Sequence, residues 1–294
     1  MPESDPTDAS TCAENVDLLT QEIGAAPAQR PSPSESALRA VFNNRGGVTQ
    51  RARVHEAGAL RLRLPRHATP CEGIILNTGG GVLGGDRLDL AFDLGPRADV
   101  VLTTVAAEKI YRSEAQPATI ATRFNLAADA RLEWLPQETI LFDRARLQRT
   151  LTVDMAAGAS LLAAEMLVFG RLAMGETRVT GFLRDSWRVR RDGRLVFADE
   201  TRMDGDIATI LDRPALGGGA RAAALILFVD GEAEAALDPL RAALATFGSV
   251  EAGASAFDGI LVARLLARSP EALRAAMVAA LATLRSRPLP RVWQ

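Results

Sequence analysis

The chain has 294 residues, of which 48% are hydrophobic and 24% charged, with 34 basic side chains against 36 acidic ones. Because it holds only two His and two Cys, the composition excludes zinc ribbons, zinc fingers and disulfide-stapled folds. A net charge of −2 without a basic run argues against nucleic-acid binding, and no apolar stretch reaches the ~20 residues of a membrane span.

The first 37 residues contain seven acids, one Arg and five prolines. Such a composition offers too little apolar surface to fold, so we predict a disordered tail over 1–37 and a single domain over 38–294. The acidic start lacks the basic and apolar segments of a secretory signal, and two cysteines without evident partners suit a reducing compartment. These features predict a cytoplasmic protein.

An alternation with a period of two dominates the chain from about residue 41 to residue 205. Leu60, Leu62 and Leu64, for example, alternate with Arg61 and Arg63. This pattern is typical of half-buried strands, and it predicts a mainly β fold.

A weak internal repeat accompanies these strands. Each copy has an apolar anchor, a small residue four positions later and apolar residues six and eight positions later; the anchors are Val54, Leu94, Leu126, Met155 and Val189. The irregular spacing leaves two interpretations open, ordinary β-hairpins or a β-helical, solenoid-like stack of short strands. In a stack, the segments 105–113, 137–143 and 165–176 would line up along one side.

The end of the chain carries two helix signals. Asp238-Pro239 and Ser269-Pro270 each place a capping side chain before a proline, which is typical of a helix N-terminus. Apolar residues at helical spacing follow both pairs. We therefore predict two C-terminal α-helices, within a helical and β portion that begins near residue 225 and includes two strands over 250–267.

Four stretches carry residues that could act chemically, and the first is the glycine-rich stretch 77–86. It includes a G-x-G-x-x-G pattern at Gly79, Gly81 and Gly84 and ends at Asp86. A dinucleotide site needs a helix after these glycines, whereas residues 87–94 alternate as a strand. We therefore favour a sharp crossover between strands.

The second and third stretches each allow a catalytic and a structural interpretation. Residues 106–113 hold the only lysine, Lys109, and the only tyrosine, Tyr111, beside Arg112. A Lys/Tyr pair could transfer protons, but a paired charged surface is favoured. Residues 132–143 place Glu138 and Asp143 among apolar residues. The two carboxylates could act as the acid and base of a glycosidase or lyase, or they could be buried and hydrogen-bonded or form a salt bridge with Arg144 or Arg146.

The fourth stretch, 161–176, is an apolar strand followed by a loop with glycine hinges. Glu165 lies in the strand, and Arg171, Met174 and Glu176 lie in the loop. An Arg, a Met and a Glu on one loop suit a partner surface or a weak metal contact.

These four stretches, together with Leu289-Pro290-Arg291-Val292-Trp293, resemble the urease accessory protein D family, called UreD or UreH, in order along residues 41–294. The resemblance implies a β-helical fold with two helices and no enzyme activity. It also implies a scaffold in urease maturation, which docks on the urease apoprotein and recruits accessory proteins F and G. Protein G is the GTPase, and nickel passes through the assembly to the urease active site.

The resemblance further implies an internal nickel channel. Carboxylates along a wet channel would bind Ni²⁺ weakly and in series, so we expect transient Ni²⁺, no tightly bound cofactor and no fixed high-affinity metal site. The candidates for the nickel pathway or for partner contacts are Asp86, Glu138, Asp143, Glu165 and Glu176. The interface candidates are Lys109, Tyr111, Arg112, Arg171 and Met174. The alternative function is a β-helical carbohydrate-active lyase or hydrolase that uses Glu138 and Asp143.

Overall fold

The computed structural model describes residues 33–65 and 70–294, and strands form most of this part of the chain. The strands are β1 (Glu35–Arg45), β2 (Val48–Ala57), β3 (Leu60–Arg63), β4 (Cys71–Asn77), β5 (Arg87–Leu94), β6 (Asp99–Thr104), β7 (Glu108–Ile110), β8 (Ala118–Leu126), β9 (Arg131–Trp134), β10 (Thr139–Leu141), β11 (Ala145–Met155), β12 (Ser160–Phe169), β13 (Thr180–Arg191), β14 (Arg194–Asp206), β15 (Ala222–Val229), β16 (Val250–Phe257) and β17 (Ile260–Ala267). The helices are α1 (Ile207–Asp212), α2 (Leu237–Leu244) and α3 (Pro270–Leu284), with 3-10 turns at Leu172–Met174 and Arg291–Trp293. The prediction of a mainly β protein is confirmed.

The first strand begins within the segment predicted as a tail. Ser36 is buried in β1, and its Oγ accepts a hydrogen bond from the backbone N–H of Ala59 at 2.9 Å. Because this contact ties Ser36 to the next strands, residues 35–37 belong to the folded domain rather than to the predicted tail over 1–37. The remainder of that tail, up to residue 32, lies outside the described residues.

Two sheets form the body of the molecule. One has seven strands in the order β14-β13-β11-β8-β5-β1-β2. The other has ten, in the main order β16-β17-β15-β12-β9-β6-β4-β3, with β10 beside β12 and β7 beside β10. Strands β5, β8 and β11 pair in parallel in the first sheet, and β6, β9 and β12 do so in the second. The chain therefore alternates between the sheets as it stacks, which confirms the solenoid-like architecture.

The stack follows the internal repeat at its three central copies. Leu94, Leu126 and Met155 are cross-strand neighbours in the first sheet. Three residues after each anchor, Arg97, Asp129 and Gly158 have positive φ angles of 56°, 59° and 75°. This left-handed corner turns the chain from one sheet into the other within a few residues.

The outer two copies of the repeat depart from the parallel stack. The copy at Val54 also crosses between sheets, from β2 to β3, but β2 runs antiparallel to β1. The copy at Val189 is a hairpin of β13 and β14 within the first sheet. The solenoid interpretation thus holds for the centre of the repeat, and the hairpin interpretation holds for its last copy.

Large apolar side chains fill the space between the two sheets. Phe42, Phe92, Phe124 and Trp187 are fully buried there. Phe92 and Phe124 come from adjacent strands in register, and their rings stack with centroids 5.3 Å apart. Burial of such rings stabilises the stack by roughly 2–3 kcal/mol each.

A second core lies between the ten-stranded sheet and the C-terminal helices, where Leu240, Leu273 and Met277 are buried. The predicted cap of α3 is confirmed, because Ser269 Oγ accepts a hydrogen bond from the backbone N–H of Ala272 at 3.1 Å. The predicted cap at Asp238 is wrong: α2 begins one residue earlier, so Asp238 lies in its first turn.

The six-residue helix α1, between β14 and β15, is not predicted by the sequence pattern. Its cap is Asp206, whose Oδ1 accepts a hydrogen bond from the backbone N–H of Thr209 at 2.9 Å. A segment this short has no apolar period to detect. None of the helices in residues 33–65 and 70–294 is long and apolar enough to span a membrane.

A pair of facing glycines tests the close approach of β13 to β11. Gly181 and Gly205 are cross-strand partners with φ angles of +145° and +87°, but a Cβ on Gly181 would collide with the backbone oxygen of Ala145, whereas Gly205 faces open space. We expect Gly205→Ala to cost about 1 kcal/mol and Gly181→Ala about 3–5 kcal/mol in the free energy of unfolding. Urea denaturation of both variants measures the difference, and equal losses would contradict this close approach.

Candidate functional site

The three segments predicted to line up along one side do so. Beyond the main strands, β7, β10 and the end of β12 pair in parallel, with Ile110 beside Leu141 and Leu141 beside Phe169. An isolated parallel bridge from Val82 to Ile110 adds the glycine-rich stretch to the same ladder. We call the loops next to this ladder, 78–86, 111–117, 142–144 and 170–179, the rim.

The glycine-rich stretch forms a crossover from β4 to β5, as the sequence favours. Gly81 has a φ of +146°, and a Cβ there would enter the ring of Tyr111. The hydroxyl of Tyr111 donates a hydrogen bond to the backbone oxygen of Gly80 at 3.1 Å. Asp86 accepts hydrogen bonds from the backbone N–H groups of Ser34 and Leu83 at 2.7 and 2.8 Å. Its carboxylate therefore holds the loop closed.

Three of the predicted interface residues come together on the rim. The ring of Tyr111 contacts that of Phe142 edge to face, with centroids 5.0 Å apart, and the guanidinium of Arg171 lies 4.5 Å from the Phe142 centroid. Arg171 also pairs with Glu176 at 3.0 Å. Met174 is 77% exposed at the tip of the same loop.

The carboxylates of the rim are held by nearby donors. Glu176 accepts a hydrogen bond from the backbone N–H of Arg171 as well as from its side chain. Partial burial opposes ionisation, but these hydrogen bonds lower the pKa of Glu176 overall. Asp143 accepts from the backbone N–H and the hydroxyl of Thr180 at 2.8 and 3.0 Å. Both carboxylates thus fix the shape of the rim.

A cavity of about 260 Å³ lies between the two sheets, next to the rim. Its polar lining includes Asn77, Thr104, Glu108, Gln137, Arg149 and Glu165. The exposed residues Gly80, Val105 and Lys109 also lie on the lining, so the cavity opens to solvent there.

A buried charged cluster forms the inner wall of this cavity. Arg149 donates to both carboxylate oxygens of Asp185, at 3.0 and 2.6 Å, and lies 2.9 Å from Glu165 Oε2. Trp134 Nε1 donates to Glu165 Oε1 at 2.8 Å. Thr139 Oγ1 accepts from Arg149 at 3.2 Å. When all three ionisable groups are charged, the cluster carries one net negative charge.

The pKa values of the cluster reflect its burial. Burial opposes the charge of Arg149, but the adjacent Asp185 and Glu165 raise the pKa of this guanidinium above its usual value. Burial raises the pKa of Glu165, and the charge of Asp185 adds to this rise against the opposing effect of Arg149. Glu165 is therefore protonated more readily than an exposed glutamate.

Glu108 provides a second carboxylate on the cavity lining, nearer its opening. Burial raises the pKa of Glu108 to about 7, although a hydrogen bond from Asn77 Nδ2 to each carboxylate oxygen, at 3.1 and 3.2 Å, works in the opposite direction. This carboxyl group therefore exchanges its proton near neutral pH.

Glu138 is directed away from this cavity, toward the helical layer. Its carboxylate pairs with Arg274 of α3 at 3.2 Å, while the preceding Gln137 lines the cavity. Glu165 is thus the one of the five predicted acids on the lining; Asp86, Asp143 and Glu176 lie at the rim. Of the remaining interface candidates, Lys109 is at the cavity opening, and Arg112 forms a backbone bridge with Ala145.

Arg149 and Asp185 are not among the residues predicted from the sequence, although their strands carry a signal. Arg149 lies between Leu147 and Leu151 on the inward face of β11, and Asp185 occupies the equivalent inward position of β13. A charged residue in an otherwise apolar alternation predicts a buried polar contact. Glu108 lies within the stretch 106–113, for which the sequence favours a paired charged surface.

Across residues 33–65 and 70–294, no three His, Cys, Asp or Glu side chains lie close enough together to hold a metal ion. Cys71, within this part of the chain, is a free thiol. Burial raises the pKa of Cys71, with the charge of Arg51 acting against the rise.

Comparison with known proteins gives a consistent family assignment. The family model described as "UreD urease accessory protein" matches residues 34–294. The chain is 52% identical over 254 residues to the urease accessory protein UreD of Methylobacterium sp. (strain 4-46), covering 85% of this chain and 90% of the relative. It is 46% identical over 290 residues to UreD of Xanthobacter autotrophicus (strain ATCC BAA-1158 / Py2), covering 99% and 96%. For UreD of Rhodopseudomonas palustris (strain ATCC BAA-98 / CGA009), the identity is 47% over 249 residues, covering 84% and 88%.

The raised pKa of Glu108 predicts a pH-dependent stability. Because the folded chain binds this proton more tightly than the unfolded chain, the contribution of Glu108 to stability is greatest below pH 4.5 and is lost as the pH rises through about 7. Glu108→Gln should remove this loss and stabilise the fold at pH 8 by up to ~3 kcal/mol relative to its effect at pH 5.

Urea denaturation at pH 5 and pH 8 measures this effect. Glu232→Gln, at an exposed turn position, is the control that should change neither value. An identical effect of Glu108→Gln at the two pH values would show that Glu108 is not buried in its ionised form.

Proposed function

The chain belongs to the UreD family of urease accessory proteins, and from this membership we propose that it acts as a scaffold in urease maturation. In this role it docks on the urease apoprotein, recruits accessory proteins F and G, and passes Ni²⁺ toward the urease active site in the cytoplasm. The observation that carries the proposal is the family match over residues 34–294, which spans the rim and the cavity together.

The cavity between the sheets supports the passage of a divalent cation. Glu108 and Glu165 place carboxylate oxygens on one lining, and Thr104 adds a neutral oxygen. Oxygen ligands bind Ni²⁺ less tightly than imidazole or thiolate, so a series of them would let the ion move on. When Glu165 is ionised, the net negative charge of the Arg149 cluster favours a cation over an anion in this space.

Nucleotide chemistry is assigned to a partner in this proposal. The glycine-rich stretch leads into β5, so its glycines do not precede a helix N-terminus that could hold phosphates. The geometry offers little support for the lyase alternative. Glu138 pairs with Arg274 and Asp143 with Thr180, so each carboxylate is engaged in a different part of the fold.

The rim supports docking on a protein partner. Aromatic, Arg and Met side chains are enriched at protein interfaces, and Tyr111, Phe142, Arg171 and Met174 form one such group. The edge-to-face and cation–π contacts hold the first three rigid, so docking would cost little side-chain entropy there.

The nickel pathway is tested with cavity variants that retain the fold. Glu165→Gln keeps the volume and an acceptor for Trp134, and leaves Arg149 paired with Asp185. We expect Glu165→Gln, and Glu165→Gln combined with Glu108→Gln, to lower nickel per urease active site by fivefold or more during co-expression with urease and its accessory proteins. The assembled complex should remain intact in a pull-down.

The matched control is Glu200→Gln. Glu200 pairs with Arg184 and accepts a hydrogen bond from Ser186 in the first sheet, and it does not line the cavity. This variant should give full nickel loading. Full nickel loading of urease with the cavity double variant as well would overturn the pathway. Loss of the assembled complex would instead show that Glu108 and Glu165 contribute to the interface.

The docking role of the rim is tested separately. Met174→Asp places a charge at an exposed apolar tip without touching the cavity. We expect it to weaken capture of urease apoprotein or of accessory protein F by tenfold or more, while the melting temperature stays unchanged. Leu195→Asp, on the distant β13–β14 hairpin, changes another exposed apolar residue and should leave capture intact. Equal capture by the two variants would place the interface elsewhere.

A further inference from the structure

The end of the chain folds back over the outer wall of the cavity. We call residues 285–294 the C-terminal segment. Trp293 in this segment is buried, and its Nε1 donates a hydrogen bond to the backbone oxygen of Leu135 at 2.9 Å. Leu135 directly precedes Pro136 and Gln137, which line the cavity. The segment therefore touches the backbone that forms the cavity wall.

Arg274 of α3 connects this segment to the wall by side-chain contacts. Its guanidinium lies 4.9 Å from the ring centroid of Trp293 and donates to the backbone oxygen of Val292 at 3.2 Å. The same group donates to Gln137 Oε1 at 2.9 Å and to Glu138 Oε2 at 3.2 Å. One guanidinium thus holds two wall residues and two residues of the C-terminal segment.

The contact with Arg274 also fixes the orientation of Gln137. A guanidinium only donates hydrogen bonds, so the carboxamide oxygen must face Arg274. Gln137 is 7% exposed, and its Nε2 is buried without a hydrogen-bond partner. A buried N–H group without a partner is costly, so Gln137 would not keep this orientation unless Arg274 imposed it.

A second set of ion pairs anchors the beginning of the C-terminal segment. Arg285 and Arg287 pair with opposite oxygens of Glu133, at 2.6 and 2.7 Å, and Arg287 also pairs with Asp99 at 2.9 Å. Glu133 and Trp134 are neighbours in β9, and Trp134 donates to Glu165 in the cavity. β9 is therefore held from outside by the C-terminal segment and from inside by the charged cluster.

We propose that the C-terminal segment is a latch on the cavity. Arg274 is the positioning residue: it holds Gln137 and Glu138 in place only while the segment is bound. With the segment in place, the wall 135–138 is fixed and the cavity is narrow. When a partner protein displaces the segment, Arg274 loses Trp293, the wall relaxes and the cavity opens. This regulation rests on the proposed passage of an ion through the cavity, but the latch itself does not require nickel or urease.

The latch is tested by the chemical accessibility of the cavity in the full-length chain. Thr122 is buried on the lining, so Thr122→Cys places a thiol inside with little change of volume. Cys12→Ser and Cys71→Ser remove the two native thiols. In this background we expect Arg274→Ala and Trp293→Ala to speed the reaction of Cys at position 122 with iodoacetamide by tenfold or more.

The matched control is Arg241→Ala. Arg241 lies on the neighbouring helix α2. It donates a hydrogen bond to the backbone oxygen of Ala254 in β16, at the edge of the ten-stranded sheet and away from the cavity. It should leave the reaction rate unchanged. Trp293→Phe keeps the ring under Arg274 but removes the N–H donor, so it should give an intermediate rate. Reaction at the parent rate in Arg274→Ala and Trp293→Ala would overturn the latch.

Hydrogen exchange separates a latch from a general loss of stability. In Arg274→Ala, amide exchange of residues 131–141 should rise by tenfold or more, while exchange of the central strand β15 stays at the parent rate. Parallel increases in both regions would show that Arg274 only stabilises the fold, and would refute the latch. Because neither readout involves nickel, the latch and the proposed nickel pathway can fail independently.

Discussion

The buried Arg149 links the two sheets, and the interior of the molecule depends on this link. Arg149 and Asp185 face each other on adjacent strands of the first sheet, and Glu165 comes from β12 in the second. A guanidinium keeps its charge at any ordinary pH, so burial is tolerated only with carboxylates in place. Phenylalanine and leucine side chains fill the rest of the space between the sheets, but they do not pack tightly around this charged cluster. A cavity with this charged cluster on its wall therefore remains where an apolar core would otherwise continue.

The same register that aligns Arg149 with Asp185 also builds the rim. Each central copy of the repeat places its inward-facing residues in register with those of the previous copy. The segments that follow β6 and β9 therefore lie beside the end of β12 and pair with it as β7 and β10. Residues about 30 positions apart in sequence, such as Tyr111 and Phe142, thereby come into ring contact. The outer face of the first sheet differs, since its charges are largely paired with one another, as in Arg123 with Asp89. The rim is the surface that combines rigid aromatic contacts with an exposed apolar tip.

Local patterns predicted the strands, the central register and the cap at Ser269, because alternation and capping depend on near neighbours in sequence. They could not predict the direction of β2, which is set by its antiparallel pairing with β1, or the capping of α2, since Asp238 lies inside the first turn. Arg149 could have been found, because it interrupts an inward apolar face. The burial of Glu108 could not, because it depends on Asn77 and on a cavity formed by both sheets. Glu138 and Glu165 had similar apolar surroundings in sequence, and only the fold directs one outward and the other inward.

Strand β9 explains why the outside of the molecule can influence its interior. The strand has four residues, and its successive side chains point to opposite sides, so Glu133 meets Arg285 while Trp134 meets Glu165. At this place a single strand separates the helical layer from the cavity. A displacement on the helical side must either break an ion pair with Glu133 or move Trp134 with it. Both contacts involve buried charges, so breaking either one costs free energy. We therefore expect the strand to move as a unit and to carry the displacement to the cavity.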